Sequence, residues 1–251
     1  MAIAAFLIAF APHVQAQAEI QSRTEADSPA ILITGANRGI GLELARQYAA
    51  AGWQVIGTAR RPEAADDLEK TGADIYQLDV TDQDSVNRLA NDLEGHPIDI
   101  LINNAGIQRL MWTLEEVDLD RFNQLLAVNS VGPVRVTQAL LPNLRNGKLK
   151  TVVNITSNLG SIGDNTDGGF YGYRESKAAL NMFTKSLAAD LGPEGFTCVV
   201  LHPGWVKTDM GGSSAPVEVD DSAAGIRRVI DNLSPADNGT FRTFDGKQMP
   251  W

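Results

Sequence analysis

The chain has 251 residues, of which 43% are hydrophobic, and it contains 23 glycines and 11 prolines, as one ordinary globular domain does. Its 31 acidic residues outnumber 21 basic ones, and the net charge of −10 argues against binding nucleic acid or an anionic membrane by bulk attraction. A single cysteine, Cys198, excludes an internal disulfide framework and a cysteine-clustered metal site, and the three histidines are scattered. We therefore expect no metal site.

The N-terminal segment is separate from the domain. An unbroken apolar run over residues 2–11 is too short to span a bilayer. It is followed by the small-residue patterns Val14-Gln15-Ala16 and Ala16-Gln17-Ala18, which signal peptidases accept. No lysine or arginine precedes Arg23, so the usual positive region of a signal peptide is missing except for the terminal amine. Residues 1–28 are thus either a signal peptide or a disordered extension, and the domain is predicted over residues 29–251.

Strand and helix patterns alternate along the domain. Apolar runs predict strands at 30–33, 55–58, 75–78, 98–102, 151–155, 198–201 and 240–244. Helical spacing predicts helices over 42–51, after Pro62, from Thr81, from Leu119 through Leu141, over 173–191 and near 223–233. Thr81 with Asp84 resembles a capping box. This alternation predicts an α/β fold, a single Rossmann-type doubly wound parallel sheet of about seven strands flanked by helices.

Ligands bind such sheets beyond the carboxyl ends of the strands, so residue clusters directly after strands are candidates for a site. The first strand is followed by a glycine-rich turn that opens a helix. Its backbone N–H groups and the helix N-terminus suit a pyrophosphate, although a glycine-rich turn alone is a weak signal. The candidate cofactor-binding residues of this turn are Gly35, Asn37, Arg38, Gly39, Ile40 and Gly41.

The second strand ends in Ala59-Arg60-Arg61, where an NAD-binding unit presents an acid to the ribose hydroxyls. No acid stands there. Arg38 and Arg60 are predicted to bind a 2′-phosphate instead, through charge-assisted hydrogen bonds. The alternative is that both are solvated surface arginines.

Three further strand ends carry candidate cofactor contacts. After the third strand, a carboxylate and an apolar side chain suit adenine, although Asp79 taken alone is more typical of a helix cap or turn. Small residues and amides after the fourth strand suit a ribose, and a Pro-Gly turn follows the sixth. These candidates are Asp79, Val80, Asn104, Ala105, Gly106, Pro203, Gly204, Val206 and Thr208.

The residues with the clearest chemistry surround the fifth strand. Ser157 follows that strand, and Tyr173 and Lys177 are four residues apart on one helix face. An adjacent ammonium is expected to lower the pKa of Tyr173 below its usual value of about 10, which makes the phenol a proton donor and acceptor near neutral pH. Ser157 can hydrogen-bond the same carbonyl oxygen. Alone, a tyrosine and a lysine at this spacing are also an ordinary exposed helical pair.

In order and spacing these motifs resemble the single-domain short-chain dehydrogenase/reductases, from about residue 29 to the C-terminus. The matching residues are Thr34-Gly35-x-x-x-Gly39-x-Gly41, Asn103-Asn104-Ala105-Gly106, Asn129, Ser157, Tyr173-x-x-x-Lys177 and Pro203-Gly204. A second set is similar to the C-factor/sniffer group of carbonyl reductases. It comprises Met210-Gly211-Gly212, Ala215-Pro216, Phe244-Asp245-Gly246 and Pro250-Trp251.

The resemblance implies an NADPH-dependent oxidoreductase that reduces an aldehyde, ketone or quinone by hydride transfer. It implies NADP(H) as cofactor, Tyr173 as general acid, and Lys177 as the group that lowers its pKa and binds the nicotinamide ribose. It also implies that Ser157 steadies the substrate oxygen and that Asn129 holds a water in a proton relay. Taken without the family, Asn129 ahead of Gly132-Pro133 indicates only a helix kink.

Two departures from the family concern the substrate side. Ser157 and Tyr173 are 16 residues apart, wider than in many members, and the insert 163–169 is expected to reshape the rim of the cleft. Cys198 and His202 are assigned to the structural core. A nicotinamide cofactor favours the cytoplasm, and export is the alternative if residues 1–18 act as a signal peptide.

Two other classes of protein are alternatives to a carbonyl reductase. A non-catalytic NADP-binding sensor or signalling protein on the same fold is the main alternative. A sugar-nucleotide epimerase or dehydratase is disfavoured by the glycine spacing and by the short tail after Thr208. The predicted partner is a small-molecule carbonyl substrate, with no nucleic acid and no membrane for the mature domain. Apolar residues at Val136, Ala139, Met182 and Phe183 suggest a homodimer or homotetramer, or else burial against the sheet.

Overall fold

The computed structural model describes residues 28–251, so the expectation for the N-terminal segment lies almost entirely outside the described residues. Seven parallel strands form one sheet in the order β3-β2-β1-β4-β5-β6-β7. The strands are β1 (Ala30–Ile33), β2 (Gln54–Ala59), β3 (Asp74–Gln77), β4 (Ile100–Asn103), β5 (Thr151–Ile155), β6 (Thr197–His202) and β7 (Phe241–Thr243). The predicted doubly wound parallel sheet is confirmed.

Helices cover both faces of the sheet. They are α1 (Gly39–Ala50), α2 (Asp66–Glu69), α3 (Gln83–Asp92), α4 (Leu119–Leu126), α5 (Gly132–Ala139), α6 (Leu141–Asn146), α7 (Tyr173–Leu191) and α8 (Val219–Asp231). Among the described residues, no helix is long and apolar enough to cross a membrane.

Alternate residues of the central strands belong to two separate hydrophobic cores. Ile31 and Ile33 of β1 pack in one core with residues of α1, α2 and α8. Leu32 belongs to the other core, with residues of α3, α5, α6 and α7. Successive strand side chains point to opposite faces, so these central strands need apolar residues throughout, and this explains the continuous apolar runs in the sequence.

Of the two residues assigned to the structural core, Cys198 is found there and His202 is only partly buried. Cys198 is fully buried in β6, and burial raises the pKa of its thiol to about 12, which leaves it unreactive near neutral pH. His202 ends the same strand; burial lowers the pKa of its imidazole to about 4, and nearby Asp245 opposes this shift. Within residues 28–251, no cluster of histidine, cysteine and acidic residues could hold a metal ion.

The start of α3 differs from the prediction. Asp82 is the N-cap, and its Oδ1 accepts a hydrogen bond of 3.0 Å from the backbone N–H of Asp84. Thr81 instead donates from its N–H and its Oγ1 to Asp79 Oδ1, at 2.9 and 2.6 Å. The predicted capping box of Thr81 and Asp84 is therefore wrong, because Asp79 binds the threonine in a tight turn and a carboxylate one residue later caps the helix.

The long helix predicted from Leu119 is interrupted. A π-helical segment, Ala127–Val131, separates α4 from α5, and a separate short helix, α6, follows. Pro133 and Pro142 each lack a backbone N–H, and each stands in the first turn of its helix, where that N–H is not needed. The predicted single helix was therefore wrong.

Three other boundaries also differ. Pro62 opens a 3₁₀ turn before the short α2 rather than a full helix. Strand β4 begins at Ile100 rather than residue 98, because the N–H of Ile98 donates to Asn143 O, outside the sheet. Helix α8 begins at Val219, four residues before the predicted start.

Candidate active site

A cleft of about 930 Å³ opens at the carboxyl ends of the strands. Its lining includes most of the predicted cofactor residues: Gly35, Asn37, Arg38, Gly39, Ile40, Arg60, Asp79, Val80, Asn104, Ala105, Gly106, Tyr173, Lys177, Pro203 and Thr208. The predicted residues that lie next to the cleft rather than in its lining are Gly41, Asn129, Ser157, Gly204 and Val206. A volume of this size suits a large organic ligand.

The glycine-rich turn is bonded to the loop after β4. Asn104 donates from its Nδ2 to the carbonyl oxygens of Thr34 and Gly35, at 2.9 and 3.1 Å. Thr34 Oγ1 in turn accepts the N–H groups of Asn104 and Ala105, each at 3.0 Å. A Cβ added at Gly35 would lie only 3.0 Å from the Cα of Ala105, and its φ is +65°. The two loops can approach this closely only with glycine at that position.

Helix α1 begins at this turn with its positive end exposed to the cleft. Arg38 at the N-cap makes no side-chain cap, and the first turn contains no acidic residue. A Cβ added at Gly41 would lie 2.5 Å from Asn104 Nδ2, so the absence of a side chain at Gly41 lets the start of α1 pack against the loop after β4. The unpaired N–H groups and the dipole of such a helix end attract an anion, as a pyrophosphate binding site requires. The chain therefore fits a dinucleotide at this end of the cleft.

Tyr173 and Lys177 lie together at the inner end of the cleft. Tyr173 is the first residue of α7 and follows Gly172, whose φ is +77°. A Cβ at Gly172 would lie 2.8 Å from Leu125 Cδ1, so this close turn requires glycine. The Nζ of Lys177 lies 5.9 Å from the centre of the Tyr173 ring and donates to Ile155 O at 2.9 Å.

The acidity predicted for Tyr173 is wrong for the cofactor-free protein. Burial raises the pKa of Tyr173 to about 12, and a hydrogen bond with Ser157 only partly opposes this shift. Burial also lowers the pKa of Lys177 to about 8. Loss of water disfavours the charged form of both groups, so burial accounts for the direction of both shifts. Tyr173 is thus protonated at neutral pH.

The burial of Lys177 leads to a prediction about how the free energy of unfolding depends on pH. In the unfolded chain Lys177 has a pKa near 10.5, and in the folded protein about 8, so the unfolded chain binds more protons between these values. The free energy of unfolding therefore rises with pH across that window. Lys177→Met lacks this dependence, so its stability relative to wild type should fall from pH 8 to pH 10.5, by on the order of 3 kcal/mol.

Urea unfolding of the cofactor-free protein at several pH values measures this difference. Tyr173 and Cys198 are present in both proteins, so their own titrations cancel in the comparison. Lys185→Met is the matched control, because Lys185 is an exposed lysine on the same helix. A difference between Lys177→Met and wild type that stays constant with pH would contradict the interpretation.

Asn129 lies in the π-helical segment and is fully buried. Its Nδ2 donates to Ile107 O and to Ser176 Oγ at 2.9 and 3.0 Å, and its Oδ1 accepts the N–H of Ile107 at 2.9 Å. The helix irregularity predicted at this asparagine is confirmed. A Cβ at Gly106 would lie 3.3 Å from Asn129 Oδ1 and 3.7 Å from Lys177 Nζ, so both side chains lie beside Gly106.

Ser176 was not singled out in the sequence. Its Oγ donates to Tyr173 O at 2.8 Å and accepts from Asn129, while its carbonyl oxygen accepts from Ser130 Oγ at 2.7 Å. The serine thus connects the π-helical segment to the first turn of α7. Its place beside Lys177, one helical turn after Tyr173, was the available signal.

The two arginines predicted to bind a phosphate have different surroundings. Arg38 Nη1 lies 3.0 Å from Asp209 Oδ2, and both side chains are mainly exposed. Arg60 is exposed at the cleft and adds a weak attraction to Asp79, whose pKa is lowered chiefly by hydrogen bonding to Thr81. Asp79 is thus both the turn residue of the alternative interpretation and part of the cleft lining. Asp209 was not predicted.

The insert 163–169 lies against the loop after β4. The Trp112 ring packs on the Phe170 ring, with centroids 4.2 Å apart. Arg174 Nε donates to the carbonyl oxygens of Gly168 and Gly169, both at 3.1 Å, and Gly163 N–H donates to Trp251 O at 2.8 Å. The insert is therefore held against Trp112 and the C-terminal residue, and the aromatic pair of Trp112 and Phe170 lies directly after it, close to Tyr173.

Comparison with known proteins identifies the family. The family model of the short chain dehydrogenases matches residues 29–218. The chain belongs to this family. The short-chain dehydrogenase residues of the glycine-rich turn, the fourth-strand loop and α7 all fall within the matched region.

This short-chain dehydrogenase is similar to proteins of the predicted group. It is 51% identical to C-signal of Myxococcus xanthus over 155 residues, which cover 62% of this chain and 93% of that protein. Its structure superposes on carbonyl reductase Sniffer of D. melanogaster with a TM-score of 0.84 and 38% identity, over 89% of this chain and all of that one. It superposes on the NADPH-bound carbonyl reductase from chicken fatty liver with a TM-score of 0.82 and 36% identity, over 89% of this chain and 99% of that one. The predicted resemblance to the C-factor/sniffer group is confirmed.

Proposed function

We propose that this short-chain dehydrogenase reduces an aldehyde, ketone or quinone with NADPH. The observation that carries the proposal is one cleft with a buried Tyr173–Lys177 pair, beside Ser157, at its inner end and with Arg38 and Arg60 in its lining. The similarity to carbonyl reductases, one of them NADPH-bound, supports this assignment.

The chain's own residues account for cofactor binding in this proposal. The uncapped start of α1 binds the pyrophosphate, and Arg38 and Arg60 bind the 2′-phosphate. Lys177, with its Nζ at the carbonyl of Ile155, is placed to hydrogen-bond the nicotinamide ribose. When bound, the cofactor supplies the hydride. The remaining chemistry, which is orientation of the substrate and proton transfer, belongs to the protein.

Proton transfer is assigned to Tyr173. A hydroxyl whose pKa is raised to about 12 by burial holds its proton at neutral pH, as a proton donor in carbonyl reduction must. Ser157 lies close enough to this hydroxyl to lower its pKa, and it can share the substrate oxygen with Tyr173. Asn129 is proposed to hold the relay water through the segment it shapes with Ile107.

A screen of NADPH consumption against quinones, aldehydes and ketones tests the proposal. We expect turnover of at least one carbonyl class. Tight NADPH binding without any turnover would favour the second candidate, a non-catalytic NADP-binding sensor or signalling protein. The similarity to the protein named C-signal is the observation that favours this second candidate. The catalytic proposal would then be wrong.

The exposure of residues on α5 and α7 bears on how the protein assembles. Val136 is fully buried and Ala139 packs against the same core, so neither supplies an intersubunit surface. Met182 is 66% exposed and Phe183 is half-buried on α7. We propose a homodimer or homotetramer through α7, in the cytoplasm, where NADPH is available.

A further inference from the structure

The two walls of the cleft are joined by one ion pair between residues far apart in sequence. Arg38 belongs to the glycine-rich turn, and Asp209 belongs to the strap, defined here as residues 205–218. The strap also contacts the turn beside this pair: a Cβ at Gly39 would lie 3.3 Å from Thr208 Cγ2. The strap therefore holds the Asp209 carboxylate beside Arg38, which is one of the two arginines predicted to bind the 2′-phosphate.

The strap keeps its shape without this ion pair. Lys207 N–H donates to Val217 O at 2.9 Å, and Val217 N–H donates to Trp205 O at 3.1 Å. The indole of Trp205 donates to Gly211 O at 2.8 Å. These bonds close the strap on itself, so removal of the Asp209 carboxylate is expected to leave its fold intact.

Charges in the cleft lining balance. Five cationic residues line it, namely Arg38, Arg46, Arg60, Lys177 and Lys207, together with five acidic residues, namely Glu43, Asp79, Asp209, Glu218 and Asp220. Three of the cations form ion pairs with three of these acids: Arg38 with Asp209, Arg46 with Glu43, and Lys207 with Glu218. A phosphate entering this cleft must therefore compete with carboxylates for its cations.

We propose that Asp209 is an affinity-determining residue that competes with the cofactor's 2′-phosphate for Arg38. The proposal rests on the proposed NADP(H) function. NADH has no 2′-phosphate, so it leaves the Arg38–Asp209 pair undisturbed, whereas NADPH must take the guanidinium from it. Asp209 thereby reduces the selectivity that Arg38 and Arg60 create.

The size of the effect follows from the exposure of the pair. The side chains are 69% and 81% exposed, and ion pairs in such surroundings are weak. We therefore expect Asp209→Asn to bind a 2′-phosphate about two- to fivefold more tightly than wild type. Affinity for the same ligand without the 2′-phosphate should not change.

Calorimetric titration with 2′,5′-ADP and 5′-AMP measures this without any turnover, because these probes differ only in the 2′-phosphate. Glu218→Gln is the matched control: Glu218 also lies on the strap, lines the cleft and pairs with a cation, but it is bonded to Lys207 rather than to Arg38. Removing its charge reports the general electrostatic effect of losing one acid. The gain for Asp209→Asn must exceed the gain for this control.

Each other outcome has a distinct meaning. Equal wild-type affinity for the two probes would overturn the proposed NADP(H) selectivity itself. A wild type that prefers 2′,5′-ADP, together with no gain in Asp209→Asn, would overturn only the competition. Weaker binding of both probes by Asp209→Asn would show that the pair clamps the strap over the ligand, the opposite of what we propose.

Discussion

Tyr173→Phe is expected to lower kcat for carbonyl reduction by about 100-fold or more, with little change in NADPH affinity. The variant removes the only atom through which Tyr173 can pass a proton to the substrate oxygen. The ring, which packs with Met111 and Leu125, stays in place. Steady-state kinetics on a substrate found in the screen, together with cofactor titration by calorimetry, provides the measurement.

Tyr171→Phe is the matched control for this experiment. Tyr171 packs against the same apolar cluster, two residues before Tyr173, and loses the same hydroxyl in the variant. Its backbone N–H, which donates to Met111 O at 2.9 Å, is unaffected. The control should keep wild-type kcat. If Tyr173→Phe also keeps it, Tyr173 is not the proton donor.

The fold could be predicted because local sequence patterns determine it. Continuous apolar runs mark strands buried on both faces, and the rule that sites lie at carboxyl strand ends placed the glycine-rich turn and Lys177 in one cleft. Helix starts were less certain, because one residue decides a cap. At α3, Asp82 rather than Thr81 fills that role.

Features that depend on contacts between distant segments were not predictable from one sequence. The pair of Arg38 and Asp209 joins residues 171 positions apart, and nothing local marks Asp209 as its partner. The predicted direction of the pKa shift of Tyr173 was wrong for the same reason. Spacing showed that Lys177 is near, but the burial that raises the pKa of Tyr173 depends on how the whole site packs.

Cofactor choice should change when the residues at the end of β2 are substituted. We expect wild type to prefer NADPH over NADH by at least about 100-fold in kcat/KM, because each charge-assisted contact contributes about 1.5 to 3 kcal/mol before desolvation. The loss with NADH should appear mostly in KM, since the 2′-phosphate is remote from the reacting carbon. In Ala59→Asp combined with Arg60→Ile, the new acid repels the phosphate and one cation is lost, so the preference should shrink or invert.

The control for the double variant addresses burial. Ala59 is only 3% exposed and packs in the core with α1 and α2, so a larger side chain there has a cost in stability that is independent of charge. Ala59→Asn with Arg60→Ile has nearly the same volume and lacks the carboxylate. Thermal unfolding of both variants measures the shared packing cost, and kcat/KM with each cofactor isolates the effect of charge. If wild type uses NADH as well as NADPH, Arg38 and Arg60 are ordinary surface charges and the assignment of the 2′-phosphate site is wrong.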